Sequence, residues 1–130
     1  MTIKSSKTLV EEASKQIDTF SPEKVKELQE TNSCTLIDIR DIRELEKEGS
    51  IDGAVHIPRG MLEFWLDPSS PYYKNNNLSD KSKTIVLFCA GGLRSALGAK
   101  SLKDMGHENI AHVQGGFASM CLNGFKREKK

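Results

Sequence analysis

The residues best suited to chemistry are Cys89-Ala90-Gly91-Gly92-Leu93-Arg94. They follow the apolar run Thr84-Ile85-Val86-Leu87-Phe88 and precede a stretch in which Ala96, Leu97, Ala99 and Leu102 recur at helical spacing. A thiol therefore stands where a strand ends and a helix begins, the position at which parallel sheets present ligand sites. Two adjacent glycines allow successive backbone N–H groups to turn inward as an anion nest, and the helix start adds its positive dipole end. Both features favour charge on sulfur. Arg94 adds a full positive charge and a planar fork of donors for an incoming oxyanion. An ordinary strand-to-helix turn needs neither the glycine pair nor the arginine, so Cys89 is read as a nucleophile. Cys34 and Cys121 have no such surroundings and are read as small buried hydrophobes.

The elements that must position this loop follow from the apolar pattern. Short apolar runs at Thr35 to Ile39, Ala54 to Ile57, Thr84 to Phe88 and Ile110 to Val113 are bounded by polar or glycine-rich punctuation and read as strands. Helical stretches fall at Ile42 to Lys47, Met61 to Leu66, Arg94 to Met105 and Phe117 to Leu122. Strand and helix alternate, which predicts an α/β fold with a largely parallel central sheet and helices on both faces. Ahead of it, Leu9, Val10, Ala13 and Ile17 recur at helical spacing, and Ser21-Pro22 caps and opens a second helix that Asn32-Ser33 ends. Asp67 to Ser82 carries two prolines and three consecutive asparagines and reads as a long connection. The expected organisation is an N-terminal helical extension over 1–20, one domain over 21–125 and a charged, frayed tail over 126–130.

Composition bounds the rest. The 130 residues suffice for one core, and 19 Lys plus Arg against 18 Asp plus Glu leave no global field to attract nucleic acid or an anionic membrane. No partner of either class is expected. Three widely spaced cysteines fit neither a disulfide framework nor a metal pattern. With no secretory signal and no stretch of transmembrane length, the expected location is cytoplasmic. His56, His107 and His112 are each isolated at a strand or turn and read as structural.

From Thr35 to Gly124 the chain resembles the rhodanese family, on three motifs. The first is Leu36-Ile37-Asp38-Ile39-Arg40 followed by Glu44 and by Gly49-Ser50-Ile51-Asp52-Gly53-Ala54-Val55-His56-Ile57-Pro58. The second is the loop Cys89 to Arg94. The third is Gly106-His107-Glu108-Asn109-Ile110 leading to Val113-Gln114-Gly115-Gly116-Phe117. Ser50 and Met120 depart from the family's pattern, where histidine and tryptophan are usual. The resemblance implies a rhodanese-like fold and sulfane-sulfur transfer, because the family's phosphatase relatives use a longer loop sized for a tetrahedral anion. Carried over, Cys89 would hold the persulfide and Ala90, Gly91, Gly92, Leu93 and Arg94 would cradle it. Arg59, in Ile57-Pro58-Arg59-Gly60-Met61, would lie where some single-domain members bring a side chain to the pocket mouth, while Asp38, Arg40 and Glu44 look like framework contacts.

The activity so implied is a two-step relay: Cys89 takes sulfur from a small donor such as thiosulfate or a persulfide and yields it to a thiol or protein-cysteine acceptor. Preorganised N–H donors would stabilise the sulfur anion, so no metal or organic cofactor is called for. The alternative is a binding or sulfur-sensing module that uses the fold without turnover.

Overall fold

The computed structural model describes residues 2–74, 78 and 80–129, so the asparagine run at 75–77 lies outside it. Five strands form a wholly parallel sheet: β1 (Asp18–Phe20), β2 (Cys34–Asp38), β4 (Val55–His56), β5 (Thr84–Phe88) and β6 (Ile110–Val113). Their spatial order is β1-β6-β5-β2-β4, and β3 (Ser50–Ile51) pairs separately and antiparallel with β7 (Arg127–Glu128). The helices are α1 (Ser6–Ser14), α2 (Pro22–Glu30), α3 (Ile42–Glu48), α4 (Leu62–Trp65), α5 (Leu93–Met105) and α6 (Gly116–Leu122). No described helix is long and apolar enough to cross a membrane.

Side chains alternate between faces along a strand, and that alternation divides the core in two. Ile37, Ile39, Ile85, Leu87, Cys89 and Ile110 pack on one face with Leu62, Ala96, Ala99 and Leu102 of α4 and α5. Leu36, Val86, Phe88, Ala111 and Val113 pack on the other with Val25, Phe117 and Met120 of α2 and α6. Both faces are covered, which explains why β2, β5 and β6 read as nearly unbroken apolar runs. The same alternation aims the Cys89 side chain at the face carrying α5.

Ser21 caps α2, accepting a hydrogen bond from the Lys24 N–H, with Pro22 at the first helical position. The expectation for 1–20 needs correcting at its end. Helix α1 stops at Ser14, and Asp18–Phe20 is strand β1, paired in register with Ala111, His112 and Val113. Pairing with β6 outweighs the local helical periodicity there. The tail is also corrected, since Arg127–Glu128 joins β3 and the Arg127 guanidinium binds the Glu48 carbonyl.

Candidate active site

Cys89 follows β5 directly, is 1% exposed, and leads into a turn that closes on the first residues of α5. Gly92 occupies the helix N-cap with φ +107, a conformation open to glycine and strained for other residues. That geometry sends two backbone donors to the sulfur: the Gly92 N–H at 3.2 Å and the Ser95 N–H at 3.3 Å. Both would otherwise be unpaired donors of the helix's first turn. The Ser95 hydroxyl lies 3.5 Å from Sγ. Sulfur thus sits at the positive end of a 13-residue helix, facing donors that need no rearrangement to hold an anion.

The loop is fixed from behind by α6. Its Phe117 N–H donates to the Cys89 carbonyl at 2.8 Å and its Ala118 N–H to the Ala90 carbonyl at 3.3 Å. With these carbonyls tied back, the donors at 92 and 95 face the sulfur. Gly116 makes this approach possible, because a Cβ there would lie 2.5 Å from the Cys89 carbonyl oxygen and 2.8 Å from that of Ala90, at φ +60. Gly116→Ala is therefore expected to displace the loop, destabilising the fold by about 1–3 kcal/mol and lowering kcat for the sulfur transfer that the family resemblance implies roughly 100-fold. Thermal melting and steady-state kinetics on the same variant check both effects; unchanged kcat would show that the α6 contact does not set the loop.

Arg94 is held rather than free. Its two terminal nitrogens donate to the Glu44 carboxylate at 2.8 and 3.0 Å, and Glu44 in turn accepts the Asp41 N–H as part of the capping box of α3. The Arg94 hydrogen bond, reinforced by the Asp41 N–H, outweighs desolvation and holds the Glu44 carboxyl below the usual glutamate range. The sign follows: this bridge is intact above the unfolded-state value of a glutamate and is lost as pH falls through the lower folded value. Glu44, read from sequence as framework, thus holds the arginine that follows the loop; Leu93, just ahead of that arginine, is 67% exposed. Arg59 is turned along α4, with its ion pair to Glu63 at 2.9 Å and Glu63 also accepting the Ser101 hydroxyl at 2.6 Å. Of the residues read as a cradle, Gly92 donates to the Cys89 sulfur and Arg94 is tied to Glu44, while the second backbone donor comes from Ser95; Arg59 is paired with Glu63.

Behind the site lies a buried framework. Arg40 and Asp38 are both fully buried and doubly bonded, Ser50 donates to Asp38 at 2.7 Å, and the Arg40 guanidinium stacks 4.0 Å from the Phe117 ring centroid. Ser50 therefore fills the position where histidine was expected with a hydroxyl that satisfies the carboxylate. His56 binds the Arg40 carbonyl, as a structural residue should. His112 differs. It is 5% exposed, and its two ring nitrogens lie 2.9 Å from the Ser95 hydroxyl and 3.0 Å from that of Thr19. Sequence reading missed Ser95 and His112 as neighbours of the sulfur. The available signal was a lone titratable residue inside the buried strand Ile110-Ala111-His112-Val113, on the face that α5 covers.

A family model for the rhodanese-like domain matches residues 21–122. Among solved structures, a Rhodopseudomonas palustris protein described as of unknown function and a possible tyrosine phosphatase is 41% identical, with 98% of each chain covered and a TM-score of 0.89. The polysulfide-sulfur transferase homodimer of Wolinella succinogenes is 30% identical, covering 95% of this chain and 87% of its own, with a TM-score of 0.70. A tRNA uridine(34) hydroxylase of Prochlorococcus marinus subsp. pastoris is 32% identical over 91% of this chain. That protein is longer, and this chain spans 37% of it.

Proposed function

The chain belongs to the rhodanese-like domain family, and from that premise we propose that it transfers sulfane sulfur through a Cys89 persulfide. The observation that carries the proposal is the pair of backbone N–H groups aimed at Sγ from 3.2 and 3.3 Å at the start of α5. In the first step the Cys89 thiolate attacks the outer sulfur of thiosulfate; a new S–S bond forms, the donor's S–S bond breaks, and sulfite leaves with its electron pair. The loop then holds the terminal sulfur as an anion until a thiol, a protein cysteine or cyanide removes it. Three free cysteines are in keeping with work in a reducing compartment such as the cytoplasm.

The test is intact mass before and after incubation with thiosulfate, followed by cyanide. A gain of one sulfur, reversed by cyanide, is the expected result; no gain from thiosulfate or from inorganic polysulfide would refute it. A gain that cyanide and thiols fail to reverse would point instead to a sulfur-sensing module. Aryl phosphates should be turned over negligibly, since the loop closes on a single sulfur atom.

Arg94 is assigned to the donor's sulfonate oxygens. The sulfur already has two backbone donors, and the guanidinium, though its charge also reaches the Cys89 sulfur, keeps both terminal nitrogens on the Glu44 carboxylate beside the loop. Arg94→Ala is expected to raise the thiosulfate KM and lower kcat/KM by about one to two decades, or roughly 1.5–3 kcal/mol for a charge-assisted contact. Arg94→Lys should recover only part of this, because a point charge lacks the bidentate geometry. Steady-state kinetics with varied thiosulfate decide it, and an unchanged KM would remove Arg94 from donor binding.

A further inference from the structure

A continuous hydrogen-bonded chain runs from the buried sulfur to the protein surface. Cys89 Sγ contacts the Ser95 hydroxyl at 3.5 Å, which contacts His112 Nδ1 at 2.9 Å, and His112 Nε2 contacts Thr19 Oγ1 at 3.0 Å. Cys89, Ser95 and His112 are buried, while Thr19 is exposed on the edge strand β1. Three separate elements supply the links: α5 gives Ser95, β6 gives His112 and β1 gives Thr19. Strand β1 is in parallel register with β6, so Thr19 falls directly opposite His112.

Every member beyond the thiol can both donate and accept, so the chain has two self-consistent polarities. With a protonated thiol, Cys89 donates to Ser95, Ser95 donates to Nδ1, and Nε2–H donates to Thr19. With a charged sulfur the order reverses: Thr19 donates to Nε2, Nδ1–H donates to Ser95, and Ser95 donates to the sulfur. We infer that Ser95, His112 and Thr19 conduct the Cys89 thiol proton to solvent and then keep the Ser95 hydroxyl pointed at the thiolate or persulfide. This rests on the reading of Cys89 as the sulfur carrier.

The step balances without a co-reactant. The S–H bond breaks and its proton forms an O–H bond on Ser95; the original Ser95 proton moves to Nδ1. The Nε2 proton moves to Thr19, whose own hydroxyl proton passes to water. Sulfur keeps its electron pair, nothing is oxidised, and the imidazole is neutral at the start and at the end. A neutral ring suits its surroundings, since burial pushes His112 below the usual histidine range. The groups that face it are Thr19 from β1, Ser95 from α5 and, through Ser95, Cys89 at the end of β5. Ser95 and His112 are therefore a hydrogen-bond partner and a positioning residue for the sulfur.

The discriminating measurement is the ring 15N spectrum of His112 in the unmodified full chain, followed by pH titration through Cys89 ionisation while thiolate absorbance is recorded. The expected result is transfer of the ring proton from Nε2 to Nδ1 in step with thiolate formation, absent in Cys89→Ala and in Ser95→Ala. An unchanged tautomer across thiolate formation overturns the inference. No sulfur donor is present, so failure here is distinct from failure of sulfur transfer. Alkylation by iodoacetamide supplies a second readout. Ser95→Ala and His112→Phe should each slow it at neutral pH by about 3–10-fold, the worth of one hydrogen bond, and the double variant should be no slower than either. Additive losses, or a fall in melting temperature with the alkylation profile unchanged, would mark His112 as structural packing alone.

Discussion

Cys89→Ser is expected to fold like the parent protein and to lose thiosulfate:cyanide sulfur transfer by roughly three orders of magnitude or more, as removal of a nucleophile does elsewhere. The substitution changes one atom. Its Oγ still faces the Gly92 and Ser95 N–H groups, so neither the loop nor α5 loses its partner. What disappears is a soft nucleophile able to hold a second sulfur. Cys34→Ser and Cys121→Ser should retain most activity. Cys34 lies at the start of β2, at the opposite end of the sheet from the loop, and burial pushes its thiol up against the smaller opposing pull of Lys83. Cys121 packs on α6, away from the donors that face Cys89. The check is specific activity beside a thermal melt for each variant. Comparable activity in Cys89→Ser and the parent would end the catalytic assignment.

Asp38→Ala is expected to have the largest effect on stability. Both Asp38 oxygens accept from Arg40, at 2.9–3.2 Å, and both residues are wholly out of solvent. Arg40 also donates to the Gly49 carbonyl at 2.7 Å, while its other terminal nitrogen has no hydrogen bond among the described residues and stands 3.6 Å from Glu48. Removing the carboxylate would leave a buried cation with a carbonyl, one partly exposed carboxylate and the face of Phe117. Breaking a buried pair from one side typically costs about 3–5 kcal/mol, which for a domain of this size lowers Tm by roughly 10 °C or more. Activity should fall with it, because Phe117 carries the N–H that ties back the Cys89 carbonyl. Asp41→Asn is the control: Asp41 is exposed, and its ion pair with Arg43 should matter little. A Tm for Asp38→Ala within a few degrees of the parent would show that the pair contributes little.

The turn after Phe88 and the strands around it were legible from the sequence because each is encoded locally. The runs Thr84–Phe88 and Ile110–Val113 are apolar throughout, as strands covered on both faces must be, and both appear as read. Two glycines before a helix start likewise announce a tight turn onto that helix, and Gly92 takes the left-handed N-cap conformation. Ser21-Pro22 and the Gly115-Gly116-Phe117 turn carry their own backbone signals.

Tertiary structure decided the rest, because those interactions join residues far apart in the chain. Asp18–Phe20 is a strand only because β6 offers it a parallel partner, and three residues are too few to declare that by pattern. Arg127–Glu128 leaves the tail for the same reason. Arg94 and Arg59 look alike as flexible cations in a sequence. Glu44 on α3 holds the first, and Glu63 on α4 holds the second. His112 was read as isolated because no titratable group adjoins it along the chain. The sheet sets it opposite Thr19, and α5 lowers Ser95 onto it, so that it lies one hydroxyl away from Cys89. A sequence specifies the type of a side chain and the face it takes; which distant group meets it there is fixed only when the layers pack.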